Sequence, residues 1–135
     1  MPTSSRKALL RVNLTRQTAT VEDVSPDLAA YVGGMGLGTK LLLDEVPAGV
    51  DAVGPDNKLI IAGGPLTGTR EPMFAQTCIV TKSPLSGTIL NTYAGGTFGS
   101  EFKQAGYDAV VFEGAAAEPV FVFIDGKDVS FHPAA

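Results

Sequence analysis

Cysteine and histidine are scarce in this sequence, which has one of each among its 135 residues. A lone cysteine, Cys78, excludes a disulfide within the chain, and it excludes an iron–sulfur cluster held by this chain alone, which would need about four thiolates. Cys78 lies in an apolar stretch, so we expect a core residue rather than a nucleophile. His132 has no acidic or thiol neighbour in the sequence and is expected on the surface. The sequence therefore predicts no metal site and no catalytic acid–base pair.

The sequence also lacks a basic stripe and a long apolar run. It has 10 Lys and Arg against 14 Asp and Glu, a formal net charge of −4, which makes nucleic acid a poor partner. No apolar run approaches the roughly 20 residues of a membrane span, and residues 1–7 lead into a strand pattern rather than a secretory segment. We therefore expect a cytoplasmic protein with no nucleic-acid or membrane partner.

Apolar residues and glycine are present in quantity. Apolar residues make up 44 % of the chain and charged residues 18 %, so an ordered core is expected, and the length suits one domain spanning residues 1–135. The 16 glycines indicate many tight turns or close approaches of the backbone to a ligand.

Hydrophobic periodicity predicts an α+β fold of mixed or antiparallel β-sheet with a few short helices. Ser25 is predicted to cap a first helix that has Pro26 in its first turn and stops at the glycine pair 33–34. Further helices are predicted over 36–45 and from the glycine-rich segment 95–99 to about 104. The predicted strands are residues 8–14, 18–23, 58–62, 75–81, 88–92, 108–113, 120–124 and 128–131.

The sequence carries a hint of internal duplication. The glycine pairs 33–34 and 95–96 each open a predicted helix, and each helix is followed by a strand that ends in glycine, at Gly63 and Gly114. Any helix entered through glycines gives a similar pattern, so duplication and coincidence are equally good interpretations.

Three features could face an anionic or flat ligand. The loop 64–69 combines bare backbone with two threonine hydroxyls, although an ordinary turn explains it better. Gly95 and Gly96 precede a helix and would let a ligand lie on the backbone, but close packing of that helix on a strand explains them equally well. Lys82, where a strand meets its turn, could pair with a phosphate or be solvated.

Six short strings occur in order and together resemble one family. They are residues 10–14 (LRVNL), 57–62 (NKLIIA), 64–69 (GPLTGT), 81–87 (TKSPLSG), 95–99 (GGTFG) and 105–108 (AGYD). Each string is common alone, but the ordered set is similar to the N-terminal domain of aldehyde:ferredoxin oxidoreductases over residues 6–131.

The resemblance implies a tungsten or molybdenum ion held by two pyranopterin dithiolenes, with a possible magnesium ion between the pterin phosphates. It implies aldehyde oxidation to carboxylic acids, with electrons leaving through a [4Fe–4S] cluster to ferredoxin. Gly95 matches a family glycine that contacts the pterin. The family commonly has arginine where this chain has Gln76, and asparagine, which helps to hold magnesium, where it has Tyr93. A glutamine retains hydrogen-bonding groups but loses the charge, and a phenol is a poor magnesium ligand.

In the family, the cluster cysteines and the remaining pterin contacts lie beyond the region that these strings cover. The chain is therefore expected to need further domains or a partner subunit, as an incomplete N-terminal domain or a split subunit. Gln76 and Tyr93 also motivate an alternative, a non-catalytic binding or assembly module that kept the fold. Either form would expose apolar surface, so a homo-oligomer is a further possibility.

Overall fold

In a computed structural model, the described part of the chain comprises residues 7–69 and 74–134. The helices are α1 (Ser25–Tyr31), α2 (Gly34–Glu45) and α3 (Phe98–Gln104). The strands are β1 (Ala8–Asn13), β2 (Thr18–Asp23), β3 (Lys58–Gly63), β4 (Thr77–Lys82), β5 (Ile89–Ala94), β6 (Ala109–Glu113), β7 (Val120–Asp125) and β8 (Asp128–Pro133).

Six strands form one mixed sheet in the order β2-β1-β6-β3-β4-β5. Neighbouring strands are antiparallel except for β1 and β6, which run parallel with Leu9 opposite Ala109. β6 and β3, at the centre, contribute the buried residues Val110, Val111 and Ile60. β7 and β8 form a separate hairpin. The predicted α+β class, with mixed and antiparallel sheet, is confirmed.

Helix α2 covers one face of the six-stranded sheet, here called the α2 face. Its buried residues Leu37, Leu41 and Leu42 recur at helical spacing and pack on Ile60 and Val80. The predicted apolar stripe of this helix is therefore confirmed, and the helix begins at Gly34 rather than Gly36.

The opposite face, here called the α3 face, is covered by α3 and by the β7–β8 hairpin. Phe102 of α3 and Tyr107 are buried there, and Val122 and Phe131 of the hairpin pack against the same core. The alternation of β7 is what allows this, because Val122 and Ile124 pack on the sheet while Phe121 remains exposed.

The predicted cap of the first helix was wrong. Val24 occupies the N-cap position, and no side chain caps the helix. The Ser25 hydroxyl and backbone N–H instead donate to Asp23 Oδ1, at 2.5 and 3.0 Å. This local hydrogen bond to Asp23 takes the place of a cap on the helix. Pro26 does lie in the first turn, as expected.

The two helices that follow glycine pairs lead into the two central strands, since α2 precedes β3 and α3 precedes β6. These strands pair antiparallel, but their helices lie on opposite faces of the sheet. Internal duplication stays a hypothesis. Among the described residues, no helix is both long and apolar enough to cross a bilayer.

Candidate cofactor-binding site

One end of the six-stranded sheet gathers most of the glycines predicted to face a ligand. Gly63 closes β3 opposite Thr77, and Thr77 pairs with Ala94 at the end of β5. Gln76 directly precedes β4, and the pair Gly95–Gly96 directly follows β5. We call this region the glycine-rich end. The sequence predictions for Gln76, Gly95 and Gly96 therefore meet at one place in the fold.

Helix α2 begins at the same end of the sheet. A Cβ atom on Gly33 would lie 2.9 Å from the Gly63 carbonyl oxygen, and the φ angle of Gly33 is +123°, so only glycine fits this joint. Val32, just before it, has φ +68°, which is costly for a β-branched residue. The sequence placed the end of α1 at the glycine pair, but the left-handed residue that ends α1 is Val32.

Gly95 and Gly96 leave an open surface. A Cβ atom on either would meet no heavy atom within 4 Å, so their small size is not required for packing in the described structure. Gly96 has φ +101°, which favours glycine for backbone reasons. Bare backbone at this position is accessible to a flat ligand from outside.

The close-packing interpretation applies to Gly99 instead. A Cβ atom there would lie 2.6 Å from the Ala75 carbonyl oxygen and 3.0 Å from the Cγ2 methyls of Thr67 and Thr77. The segment 95–99 thus divides into two open glycines and one glycine that seats α3 on the sheet.

Thr67 holds the 64–69 loop to β4 and has no free hydroxyl for an anion. Its Oγ1 accepts from the Gly64 N–H at 2.9 Å and donates to the Gln76 carbonyl at 3.1 Å. Thr69 Oγ1 donates to the Leu66 carbonyl at 2.8 Å. Both hydroxyls are used internally, so the ordinary-turn interpretation of the loop agrees with the structure. The consequence for the site is that Gln76 has a fixed backbone.

Gln76 and Tyr93 present neutral polar groups at the glycine-rich end. The Gln76 side chain is exposed and hydrogen-bonds to no other described residue. Tyr93 is 55 % exposed, and its hydroxyl donates to Met35 Sδ at 3.6 Å. Met35 is a neighbour that sequence reasoning missed, because nothing in the sequence relates positions 58 residues apart.

Lys82 lies at the other end of β4, roughly 17 Å from Thr77 at about 3.3 Å per residue. Its ammonium group donates to the carbonyl oxygens of Ala48 and Val50, the latter at 2.6 Å. The structure therefore does not bring Lys82 together with the other predicted site residues. Its contacts support the α2–β3 loop.

Cys78 of β4 lies opposite Tyr93 of β5 and packs in the core on the α2 face, where it is 2 % exposed, so the expected core position is confirmed. Burial raises the pKa of the Cys78 thiol, and the neighbouring Tyr93 hydroxyl only partly offsets this. The thiol is therefore protonated and inert near neutral pH. His132 is exposed, stacks on Phe121 at a ring-centroid distance of 5.0 Å, and contacts Ser130, as expected of a surface residue.

We expect Cys78 in the folded protein to react with a disulfide reagent at least about 100-fold more slowly than in urea, because attack requires exposure and ionisation. Tyr93→Phe should raise the Cys78 pKa further by removing the neighbouring hydroxyl that offsets burial. The measurement is the rate of thiol release between pH 7 and 10. A folded-state rate equal to the rate in urea would contradict the buried, protonated thiol.

A cluster of five charged residues lies at the opposite end of the sheet. Arg11 bridges Glu22 at 2.7 Å, Glu45 at 2.8 Å and Glu113 at 3.3 Å, and Lys58 reaches Glu45 and Glu113 at 2.5 and 3.2 Å. Burial pushes the pKa of both Glu45 and Glu113 upward, but their hydrogen bonds outweigh burial and lower it overall. Arg11 is the donor with the largest effect at Glu45, and Asn13 at Glu113.

A cleft of about 500 Å³ also lies away from the glycine-rich end, lined in part by Leu14, Leu59, Phe112 and Val122. Its walls are mainly apolar, and it holds none of the predicted cofactor residues. Among the residues described, His, Cys, Asp and Glu form no group of three or more that could hold a metal ion. The glycine-rich end is therefore an open surface of bare backbone, an amide and a phenol, and the ion pair of Lys103 with Asp108 lies beside Gly63 at the same end.

The sequence and the fold are those of an oxidoreductase N-terminal domain. The sequence model of one family, the aldehyde ferredoxin oxidoreductase N-terminal domain, matches residues 9–135. The chain belongs to that family. It is 46 % identical over 126 residues to the tungsten-containing aldehyde ferredoxin oxidoreductase of Pyrococcus furiosus, covering 93 % of this chain and 21 % of the relative.

Other relatives carry different names. The chain is 40 % identical over 130 residues to an aliphatic sulfonate oxidoreductase, WOR-like subunit, of Pyrococcus furiosus, covering 93 % of this chain and 20 % of that protein. A solved structure, the BamBC active-site complex of benzoyl coenzyme A reductase with 1,5-dienoyl-CoA, superimposes with a TM-score of 0.93 at 33 % identity, over 99 % of this chain and 21 % of that one. The chain thus spans about a fifth of the length of these relatives.

Proposed function

We propose that this chain is the cofactor-supporting part of a tungsten-pterin oxidoreductase that oxidises aldehydes to carboxylic acids. Electrons would leave through a [4Fe–4S] cluster, held by further domains or a partner subunit, to ferredoxin. The observation that carries the proposal is the open backbone at Gly95 and Gly96, beside exposed Gln76 and Tyr93 in a domain of this family.

The residues present fit the flat part of a pterin. A planar heterocycle can lie against backbone that has no Cβ atoms, and Gln76 offers both a hydrogen-bond donor and an acceptor for its edge. The Tyr93 hydroxyl adds a second polar group at the same end of the sheet. When bound, a tungsten-pterin group would supply the redox chemistry. This chain would position it through Gly95, Gly96, Gln76 and Tyr93.

The phosphate groups of such a cofactor fit this chain less well. Lys82 is directed to the α2–β3 loop at the far end of β4, and Tyr93 offers a phenol where an amide would serve magnesium better. We therefore assign the phosphates, and any magnesium ion, mainly to the rest of the enzyme. The substrate is also assigned there, since relatives named for different substrates share this domain fold.

The test is the tungsten, molybdenum and pterin content of the chain expressed with the polypeptide that supplies the rest of the relatives' length. Gly95→Phe should reduce metal and pterin by at least about tenfold, because the new side chain occupies the bare surface. Leu85→Phe, at a position 97 % exposed on the β4–β5 turn, is the control and should leave both unchanged.

Unchanged metal and pterin in Gly95→Phe would contradict the proposed contact surface. The complete absence of both from the wild-type assembly would favour the alternative, a non-catalytic binding or assembly module. This alternative is motivated by the neutral side chains at Gln76 and Tyr93. Aldehyde-dependent reduction of ferredoxin by the loaded assembly tests the reaction itself.

A further inference from the structure

Thr67 is a buried polar residue in the loop after β3, between neighbours that are exposed. It is 7 % exposed, whereas Pro65 and Leu66 beside it face the solvent. Its hydroxyl accepts from the Gly64 N–H at 2.9 Å and donates to the Gln76 carbonyl at 3.1 Å. One buried side chain thus connects this loop to the residue that directly precedes β4.

The methyl group of Thr67 fills a narrow space between the sheet and α3. Its Cγ2 atom lies 3.0 Å from the position that a Cβ atom on Gly99 would take, and 3.6 Å from the same position on Gly63. Valine has the same shape as threonine but no hydroxyl, and serine has the hydroxyl but no methyl group. The packing and the hydrogen bonding of Thr67 can therefore be separated by substitution.

The hydrogen bond from Thr67 restrains Gln76 at the point where its side chain begins. The accepting carbonyl belongs to Gln76 itself, so the bond limits rotation about the ψ angle of this residue. A second bond, from the Gly68 N–H to the Phe74 carbonyl at 3.1 Å, holds the same segment to the loop. The next residue, Thr77, is already held in β4. The direction in which the Gln76 side chain leaves the backbone is therefore set from both sides.

We propose that Thr67 is a positioning residue for the cofactor, because it fixes the direction of the Gln76 side chain beside Gly95 and Gly96. The inference rests on the proposed function, since Gln76 has an edge to bind only when a pterin lies on the two glycines. Gln76 is neutral, and the hydrogen bonds of an amide depend strongly on direction. Its side chain is exposed, so the backbone rather than packing sets where it starts. Thr67 is buried and acts only through Gln76.

A purely structural role for Thr67 predicts a different result. In that case every variant that destabilises the loop loses cofactor in proportion to its loss of stability. If Thr67 positions Gln76, the loss of cofactor follows the hydrogen bond instead. Thr67→Val removes the hydroxyl and keeps the methyl packing, whereas Thr67→Ser does the reverse. We expect both variants to unfold at a lower temperature than the wild type, and only Thr67→Val to lose cofactor.

The experiment measures metal and pterin in the chain expressed with the polypeptide that supplies the rest of the relatives' length. Thr67→Val should reduce both at least about fivefold, the effect of one lost hydrogen bond, while Thr67→Ser keeps at least about half. Gln76→Ala should cause a similar loss, and adding Thr67→Val to it should cause no more. Thr69→Val is the matched control and should leave both unchanged, since the Thr69 hydroxyl donates within the loop, to the Leu66 carbonyl.

Amide hydrogen exchange on the same assemblies measures the hydrogen bond directly. The Gly64 N–H donates to Thr67, so it should exchange at least about tenfold faster in Thr67→Val and near the wild-type rate in Thr67→Ser. If Thr67→Val does not fold, Thr67→Cys replaces it, because a thiol is close to the serine hydroxyl in size but is a weak donor and acceptor. Thr67→Cys should then lose cofactor where Thr67→Ser keeps it.

Metal and pterin retained in Thr67→Val, or lost equally in Thr67→Val and Thr67→Ser, would overturn the inference. A further loss when Thr67→Val is added to Gln76→Ala would overturn it as well. A wild-type assembly without metal and pterin would contradict the proposed function and, with it, this inference. The wild type therefore distinguishes a failure of the proposed function from a failure of the role of Thr67 alone.

Discussion

Replacing Arg11 with methionine should lower the free energy of unfolding by about 3 kcal/mol, a large part of the stability of a domain this size. Arg11 is 18 % exposed and lies between Glu45 and Glu113, which are 23 % and 22 % exposed. Methionine keeps most of the aliphatic packing but removes the positive charge. The two carboxylates then share the Lys58 ammonium group as their one remaining cation among the described residues, in a partly dry site.

Chemical denaturation of Arg11→Met at pH 7 measures this loss. Lys40→Met is the control, because Lys40 pairs with Asp27 and Asp44 on the helix surface and should matter much less. Equal losses in the two variants would show that the network around Arg11 adds nothing beyond an ordinary surface pair.

The pH dependence of stability gives the same network a second readout. The pKa values of Glu45 and Glu113 are lowered in the folded chain, so their stabilising effect is complete above the ordinary glutamate pKa and is lost as the pH falls through the folded values. The wild-type chain should therefore lose stability below about pH 4.5. Arg11→Met should lose less over this range, because Glu45 then lacks the partner that lowers its pKa most, while Asn13 and Lys58 still lower the pKa of Glu113.

Gly99→Ala should cost about 2 kcal/mol, the second largest effect we expect. The added methyl group would lie 2.6 Å from the Ala75 carbonyl oxygen, a backbone atom that cannot move without shifting the entry to β4. It would also press on Thr67 and Thr77, which are both buried. α3 must then lift from the sheet or tilt.

Gly95→Ala is the matched control, four residues away in the same segment. Its methyl group meets nothing within 4 Å, so the free energy of unfolding should change by less than about 0.5 kcal/mol. Thermal unfolding of both variants distinguishes the packing glycine from the open one. Equal destabilisation would mean that the open surface at Gly95 is needed for the fold itself, which would weaken the proposed cofactor contact.

Much of the fold could be predicted from local pattern. The alternation along β7 and the leucine spacing of α2 are direct expressions of which face is buried, whereas β1 is buried on both faces of the sheet. The Ser25 cap could not be predicted because it depends on a competition with Asp23. The same limit applies to the left-handed Val32, where the joint against Gly63 imposes a conformation that valine disfavours.

The candidate site was predicted in composition but not in arrangement. Residues 76 and 93–96 lie close together because β4 and β5 are paired. The turn signal at residues 83–88 predicts this pairing. The separation of Lys82 follows from the same register. The contact of Tyr93 with Met35 depends on how α2 crosses the sheet, and this is set by packing that no local pattern records.

The parallel pairing of β1 with β6 has a consequence for how the chain is made. Leu9 meets Ala109 across 100 residues of sequence, so β1 gains its second neighbouring strand only after β6 has been synthesised. At about 5–20 residues added per second, synthesis of the intervening residues takes roughly 5–20 s. During this time the side chains of the β1–β2 hairpin that are later buried stay exposed. Non-local pairing of this kind also slows folding of the finished chain. Chaperone binding during translation should therefore be strongest to nascent chains that end before β6.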